Sequence, residues 1–270
     1  MIPDQLLALV PGCEGSHAPL GVVPLPGGQG RNEVLRIDTS QGRFVWRHRL
    51  PPVNRPGSAA LTELQAHRHA AAAGLAPKIL AAAADGSWIL MEHVDAPTWT
   101  VPQLAATEGL ERLGSRLAML HALEVPAELP AANAPAMALG YLAILRWRDP
   151  AAAAALEPLA RRVEQVTAEL AGAGQRRALV HGDLMVSNML GPQPLLVDWE
   201  YAQASDPGWD FACLLSYYPR LEPALARLLG SAGLDDPETR SHLALQRERF
   251  ALLNRLWERA YPAPGQGRTG

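Results

Sequence analysis

At 270 residues the chain has room for one large or two modest domains, and its 48% hydrophobic content supplies a sizeable core, which excludes wholesale disorder. A formal net charge of −3 and a pI near 6.2 argue against a general nucleic-acid binder. Two cysteines, Cys13 and Cys213, make no disulfide framework and suit a reducing cytoplasm; Cys213 lies in an apolar run and reads as core. Residues 1–10 carry Asp4 and no basic region, so no signal peptide is expected. No apolar run approaches the roughly 18 residues of a membrane span.

In chain order, residues 2–10 read as a short amphipathic helix stopped by Pro11-Gly12, and residues 20–25 as a first strand. Gly27, Gly28 and Gly30 follow, between that strand and the next. Glycines there let backbone N–H groups approach a phosphate, although a plain hairpin has the same composition. It is no dinucleotide-binding fingerprint, because a strand follows it. Residues 33–38 and 44–49 alternate as two antiparallel strands around a Ser40-Gln41-Gly42 turn. Arg47 and Arg49 share one face of the second of these by parity, and either could meet a phosphate. Residues 60–73 form an Ala-rich helix carrying Glu63. His67 and His69 are two apart, share no helix face, and are expected on the solvated surface.

Strands are expected at 79–83 and 88–91, around Asp85-Gly86, with Met91, Glu92, His93 and Val94 closing the second. Residues 97–102 read as a linker, which puts a domain boundary near residue 95. The leucines at 104, 110, 113, 117 and 120 predict one amphipathic helix over 103–124, with His121 as a hydrogen-bonded core residue on its apolar face. Helices are expected at 138–148 and 151–173, with Pro150 starting the second, and later at 221–230 and 237–260. Residues 262–270 read as a frayed tail.

The chemistry concentrates in residues 179–201. Two apolar runs, 178–180 and 195–197, flank a turn at Gly191-Pro192 and Pro194, and each is followed by polar residues. Asp183, Asn188 and Asp198 offer oxygen donors of the kind a hard cation such as Mg²⁺ takes, sharing its shell with water and phosphate. Taken singly, Asp and Asn beside a Gly-Pro turn are ordinary turn formers. The joint pattern is more specific: His181-Gly182-Asp183, Asn188 five positions on, then Asp198-Trp199-Glu200-Tyr201.

This pattern resembles the catalytic and metal-binding loops of the kinase-like fold, whose template is His-Arg-Asp, four residues, Asn, then Asp-Phe-Gly. Gly182 in place of Arg, and Trp199-Glu200 in place of Phe-Gly, depart from protein kinases. They are similar to the aminoglycoside phosphotransferase and choline kinase superfamily, its choline and thiamine kinase branches in particular. The resemblance runs from Gly27 to Phe211, specific at 181–201 and degenerate before it.

It implies an α+β bilobal fold: an N-lobe over 1–95, an antiparallel sheet with one helix, and a larger, mostly helical C-lobe over 96–270. It further implies that Gly27, Gly28 and Gly30 cover phosphates, that Arg47 rather than Arg49 is the strand cation, and that Glu63 pairs with it. Met91, Glu92, His93 and Val94 would be the hinge whose backbone meets adenine. Asp183 would be the catalytic base, Asn188 and Asp198 would hold Mg²⁺, and His181 and Asp210 would support the catalytic loop. The implied activity is transfer of the γ-phosphate of ATP, as co-substrate, to a hydroxyl of a small, cationic alcohol such as choline, ethanolamine or thiamine. Glu200, Trp209, Tyr217 and Trp257 are candidates to contact that acceptor, since carboxylates and aromatic faces suit organic cations. An aminoglycoside or macrolide phosphotransferase is the alternative enzyme. A non-catalytic nucleotide-binding module of the same fold is the alternative of another class. No nucleic-acid or membrane partner is expected, and oligomeric state stays open.

Overall fold

A computed structural model of the chain describes residues 2–14, 17–26, 31–52, 54–173 and 176–262; Gly27, Gly28 and Gly30 lie outside the described residues. The first lobe is a five-stranded antiparallel sheet in the order β1-β2-β3-β5-β4. Its strands are β1 (Gly21–Pro24), β2 (Asn32–Thr39), β3 (Gly42–Arg49), β4 (Ile79–Ala82) and β5 (Trp88–Glu92). The β2–β3 hairpin closes where Thr39 faces Gly42, and Gly42 sits at φ +140°, a conformation that costs glycine little. The expected alternation holds: Leu35 faces Trp46 and Ile37 faces Phe44, all buried on one side of the sheet with Ile2, Val10 and Cys13. The opposite parity turns Val45, Arg47 and Arg49 toward helix α2 (Ala60–Ala72), whose Leu64 packs with Ile89 and Met91 of β5. Because β3 lies mid-sheet between β2 and β5, its cations sit in the interior of the fold rather than at an edge.

The second lobe is mostly helical. It contains α3 (Val101–Ala105), α4 (Thr107–His121), α5 (Ala134–Arg148), α6 (Pro150–Gly172), α7 (Gly208–Tyr217), α8 (Leu225–Ser231) and α9 (Pro237–Ala260). Two small ribbons complete it, β6 (Ala178–Val180) with β9 (Gln203–Ser205) and β7 (Met189–Leu190) with β8 (Leu195–Leu196). The apolar stripe of α4 does what its spacing predicts: Leu110, Leu113, Leu117 and Leu120 are all buried in the main core. That core reaches from α4–α9 to Ala66, Ala70 and Leu75, so the end of α2 is packed into it. Asp149 caps α6 by accepting from Ala152 N at 2.9 Å, with Pro150 as first helical residue, and Asp236 caps α9 in the same way through Thr239 N at 2.8 Å. No described helix is long and apolar enough to cross a membrane.

Four sequence expectations change. The first helix, α1, is only Asp4–Leu7. The span 103–124 is broken at Ala106, because Thr100 and Gln103 form a capping box that starts α3 early and α4 begins afresh at Thr107. The span 221–230 opens with a 3-10 turn (Pro219–Ala224) ahead of α8. His67 is not a surface residue: it is 2% exposed, its Nε2 lies 2.8 Å from the Pro77 carbonyl, and its ring faces Trp199. Helical phase alone cannot anticipate this, since the covering residue comes from far along the chain. Burial lowers the His67 pKa to about 4, which makes it a neutral packing residue near pH 7.

Candidate active site

Strand β6 delivers His181-Gly182-Asp183 into the gap between the lobes. A short 3-10 turn (Val186–Asn188) follows, and the β7–β8 ribbon returns the chain to Asp198. The turn that carries Asp183 is held from below by Asp210, in the first turn of α7. Asp210 is fully buried; Oδ1 accepts from Gly182 N at 2.8 Å, while Oδ2 accepts from His181 N at 3.1 Å and lies 2.9 Å from His121 Nε2. This identifies His121 as a hydrogen-bonded core residue, as its place on α4 predicts. Gly182 is required locally: its φ is +78°, and a Cβ would lie 2.5 Å from the Tyr201 carbonyl oxygen. The chain has glycine where protein kinases have arginine because the Tyr201 backbone crosses there.

His181 is fully buried and its ring is used on both sides. Nδ1 accepts from Asp183 N at 3.2 Å, which leaves Nε2–H to donate to the Val197 carbonyl at 3.0 Å. Burial lowers its pKa, and Trp199 packs edge-on at 4.7 Å. A neutral imidazole tied at both nitrogens ties the Asp183 loop to the Asp198 loop, and its one N–H is taken by the Val197 carbonyl.

Asp183 receives a hydrogen bond on each oxygen, from Tyr217 Oη to Oδ1 at 2.9 Å and from Asn188 Nδ2 to Oδ2 at 3.0 Å. Burial, then the nearby negative charge of Asp198, pushes its carboxyl up to about 7. Asn188 Nδ2 also donates to the Asp183 carbonyl at 2.9 Å, which fixes the amide and presents Oδ1 on its other side. Asp198 has φ 64°, a left-handed conformation rare outside glycine and asparagine or aspartate, and such backbone is tolerated mostly at working sites. Its Oδ1 accepts from Arg47 Nη2 at 2.6 Å.

Arg47 is also bonded to Glu63 Oε1, so the strand cation, the helix carboxylate and Asp198 form one chain of charge-assisted bonds. Burial opposes the Arg47 charge, but Glu63, Asp198 and Glu200 together hold it more firmly protonated than usual. Arg49, by contrast, is sealed in: Nε donates to Glu63 Oε2 at 2.6 Å and Nη2 to Ser58 Oγ at 2.7 Å, and its side chain is 1% exposed. Of the two, Arg47 alone lines the interlobe cleft.

Two cavities meet at Asp183. One, of about 400 Å³, lies between the lobes and is lined by Val34, Val45, Leu190 and Val197 as well as the polar groups. It gathers Arg47, Glu63, Met91, Glu92, His93, Val94, Asp183, Asn188 and Asp198 from the sequence expectations. The amides of Glu92 and His93 are used by the Lys78 and Arg43 carbonyls, at 3.0 and 3.1 Å, which leaves Val94 as the next backbone group along this wall. The other cavity, of about 380 Å³, lies in the C-lobe and includes Trp209, Tyr217 and Trp257 with Tyr141, Tyr201 and Phe250. Arg31, Asp183 and Met185 line both. Glu200, expected with the acceptor, sits in the interlobe cleft instead. It is buried, within 3.8 Å of nitrogens of Arg31, Arg47 and Arg49, and these cations account for its place. Sequence reasoning missed Arg31, Tyr141, Gln203, Asn254 and Glu258 in the C-lobe cavity. No spacing signal links them, because they come from the residue before β2 and from α5, β9 and α9.

Among the described residues no three His, Cys, Asp or Glu side chains converge as a protein-only metal site would need. The donor set fits a different arrangement: the Asp198 carboxylate and the Asn188 amide oxygen, lining one cavity, suit a hard cation that draws its remaining ligands from water and phosphate.

The profile described as the phosphotransferase enzyme family matches residues 21–245. No curated protein matches the chain. Among solved structures, a choline/ethanolamine kinase family protein from Mesorhizobium loti superposes with a TM-score of 0.71 at 24% identity, over 94% of this chain and 83% of that one. A choline kinase from Streptococcus pneumoniae gives 0.76 at 17% identity, over 98% and 93%. A spectinomycin phosphotransferase, solved with ADP and spectinomycin, gives 0.63 at 12% identity, over 98% and 91%. Identities this low speak for the shared two-lobed, kinase-like fold. With the family profile spanning most of the chain, from β1 into α9, this protein belongs to the phosphotransferase enzyme family.

Proposed function

We propose that the protein transfers the γ-phosphate of Mg·ATP to the hydroxyl of a small cationic alcohol of the choline, ethanolamine or thiamine class. The observation that carries this reading is the position of Asp183, whose carboxylate lines both cavities. Nucleotide enters the interlobe cleft, where the apolar wall takes the base and the Val94 backbone meets its edge. Gly27, Gly28 and Gly30 are assigned to the phosphates from the sequence pattern alone, and Arg47, braced by Glu63, contacts them. Asn188 and Asp198 would hold Mg²⁺, which would supply positive charge to offset that of the phosphates. The acceptor sits in the C-lobe cavity with its hydroxyl toward Asp183, which orients it and takes its proton. A carboxyl whose pKa lies near 7 is matched to that task. His181 and Asp210 keep the loop in register.

The aromatic lining and the carboxylate of Glu258 support a cationic acceptor, with Trp209, Tyr217 and Trp257 supplying ring surface. A division into an N-lobe, 1–95, and a C-lobe, 96–270, follows from a hinge at Met91–Val94. ATP as co-substrate and two buried free cysteines fit the cytoplasm, and a net charge of −3 offers no general surface for nucleic acid. An antibiotic acceptor is the second reading, and the spectinomycin phosphotransferase with this fold favours keeping it in the test. The test is turnover of ATP with a panel of choline, ethanolamine, thiamine, spectinomycin, a macrolide and an aminoglycoside. Preferred phosphorylation of the small cations is expected. Exclusive use of an antibiotic would replace this reading, and nucleotide binding without transfer to any acceptor would favour a non-catalytic module.

A further inference from the structure

Arg31 immediately precedes β2 and follows the glycine-rich stretch in the chain, yet its guanidinium reaches the C-terminal helix. Its Cζ lies 5.0 Å from the centre of the Trp257 ring and 5.8 Å from that of Tyr261. Nη1 donates to Tyr201 Oη at 3.2 Å, and the same oxygen accepts from Trp257 Nε1 at 2.8 Å. Nη2 is 3.8 Å from Glu200 Oε1. Two ring faces, a phenol oxygen and a carboxylate are the surroundings an organic cation selects. Here the protein's own cation occupies them.

We propose that Arg31 sets acceptor selectivity by holding the cation seat beside Trp257 and Tyr261, so that an ammonium-bearing acceptor binds by displacing it. The inference rests on the cationic-acceptor reading above and adds the residue that controls it. Two unit positive charges cannot share a partly buried seat without strong repulsion, so acceptor and guanidinium exclude each other. The backbone of Arg31 does not need to move: its carbonyl accepts from Leu50 N at 2.8 Å and from Arg55 Nη2 at 3.3 Å. The side chain also lines the interlobe cleft, where Glu200 stands at its edge. Displaced into that cleft, the guanidinium adds positive charge where the nucleotide phosphates lie. Acceptor and nucleotide then favour each other's binding, and a rigid or neutral molecule that cannot displace Arg31 is turned away.

Tetramethylammonium chloride is the probe, because it carries the charge and has no hydroxyl to react. Calorimetry on the full chain without nucleotide should give Arg31→Gln an affinity about five- to thirtyfold above wild type, the span of an exposed to a desolvated cation–ring contact. Arg31→Lys keeps a competing charge and should stay near wild type. An unchanged or weaker affinity in Arg31→Gln overturns the competition. A second arm needs no variant: in wild type, Mg·ADP affinity should rise about fivefold when tetramethylammonium is saturating, and reciprocally. Equal Mg·ADP affinity removes the displaced guanidinium from the phosphate side. If the acceptor panel yields only neutral or anionic substrates, the cationic-acceptor reading itself has failed. If it yields cations while Arg31→Gln binds the probe as wild type does, only this inference has.

Discussion

The interlobe cleft and the C-lobe cavity share Arg31, Asp183 and Met185 and are built differently. In the cleft, charge holds charge: Glu63, Arg47 and Asp198 are joined by direct bonds, and Glu200 is ringed by three arginines. In the C-lobe cavity, rings hold rings: Trp209 packs on Phe250 at 5.5 Å, Phe250 on Tyr217 at 6.0 Å, and Trp257 on Tyr261 at 5.8 Å. The first arrangement suits a ligand that stays highly anionic, such as a triphosphate, and fixes each donor. The second supplies apolar area with few fixed polar partners, so a change of ring changes the ligand without disturbing the phosphate side. On the proposed reading the phosphate side and the acceptor side have different walls and meet at Asp183 and Arg31.

The largest expected effect falls on that shared group. Asp183→Ala should lower turnover by roughly 10²–10⁴ while nucleotide affinity measured by calorimetry stays near wild type; unchanged turnover would remove the base assignment. The same carboxyl carries a stability cost. It titrates at about 7 in the fold against 3.8 in a free chain. Between those values the folded state keeps a proton the unfolded state has released. Stability is therefore lost as pH rises through that window. Asp183→Asn, inactive, should raise the urea midpoint above pH 7 and leave it nearly unchanged at pH 3.

Next in size is the support beneath the loop. Asp210→Ala leaves the amides of His181 and Gly182 without their buried acceptor and should cost about 3 kcal/mol of unfolding free energy or more, read by urea denaturation. A wild-type midpoint would mean the loop is held by other contacts. A smaller change is expected on the cleft side. Asp198→Asn removes the charge that faces Arg47 and the proposed cation, and should weaken Mg²⁺-dependent ATP binding roughly tenfold, the scale of one lost charge-assisted bond. Metal-free nucleotide affinity should change less, and equal losses with and without Mg²⁺ would take Asp198 out of the metal site.

The same division explains what could be read in the sequence. The cleft was legible because its residues are set by spacing along one loop, Asp183 to Asn188 to Asp198, and by strand parity at Arg47. Even there, parity could not separate Arg47 from Arg49. Only the packing of Ser58 and Glu63 around Arg49 does so. The C-lobe cavity was legible only in its rings: Trp209, Tyr217 and Trp257 are there as expected, whereas Arg31, Tyr141, Asn254 and Glu258 come from elements far apart in the chain and meet only through tertiary packing. His67 was misplaced for the same reason, being covered by Trp199 from the second lobe. Helix stripes such as that of α4 survived because a stripe must be buried whatever covers it. The break at Ala106 was missed because the Thr100–Gln103 capping box lies across the expected linker boundary.

The smallest effect tests whether the two cavities are as separate as their walls suggest. Tyr217 lines the C-lobe cavity, yet its hydroxyl donates to Asp183 Oδ1 at 2.9 Å and so favours the ionised carboxylate. Tyr217→Phe keeps the ring and removes that donor. In protein free of nucleotide and metal, the Asp183 carboxyl should then titrate above its value of about 7. The rise should be roughly half a unit to one unit, the net worth of one hydrogen bond on the pKa scale, followed by carbon-13 NMR of labelled aspartate. Turnover at pH 6 should fall more than turnover at pH 9, because only the lower pH leaves the base protonated. An unmoved titration with a changed acceptor KM would make Tyr217 a wall of the acceptor cavity and nothing more. A moved titration with an unchanged KM would instead assign it to the shared catalytic group, and the acceptor cavity would then tune the chemistry of its neighbour through a single hydroxyl.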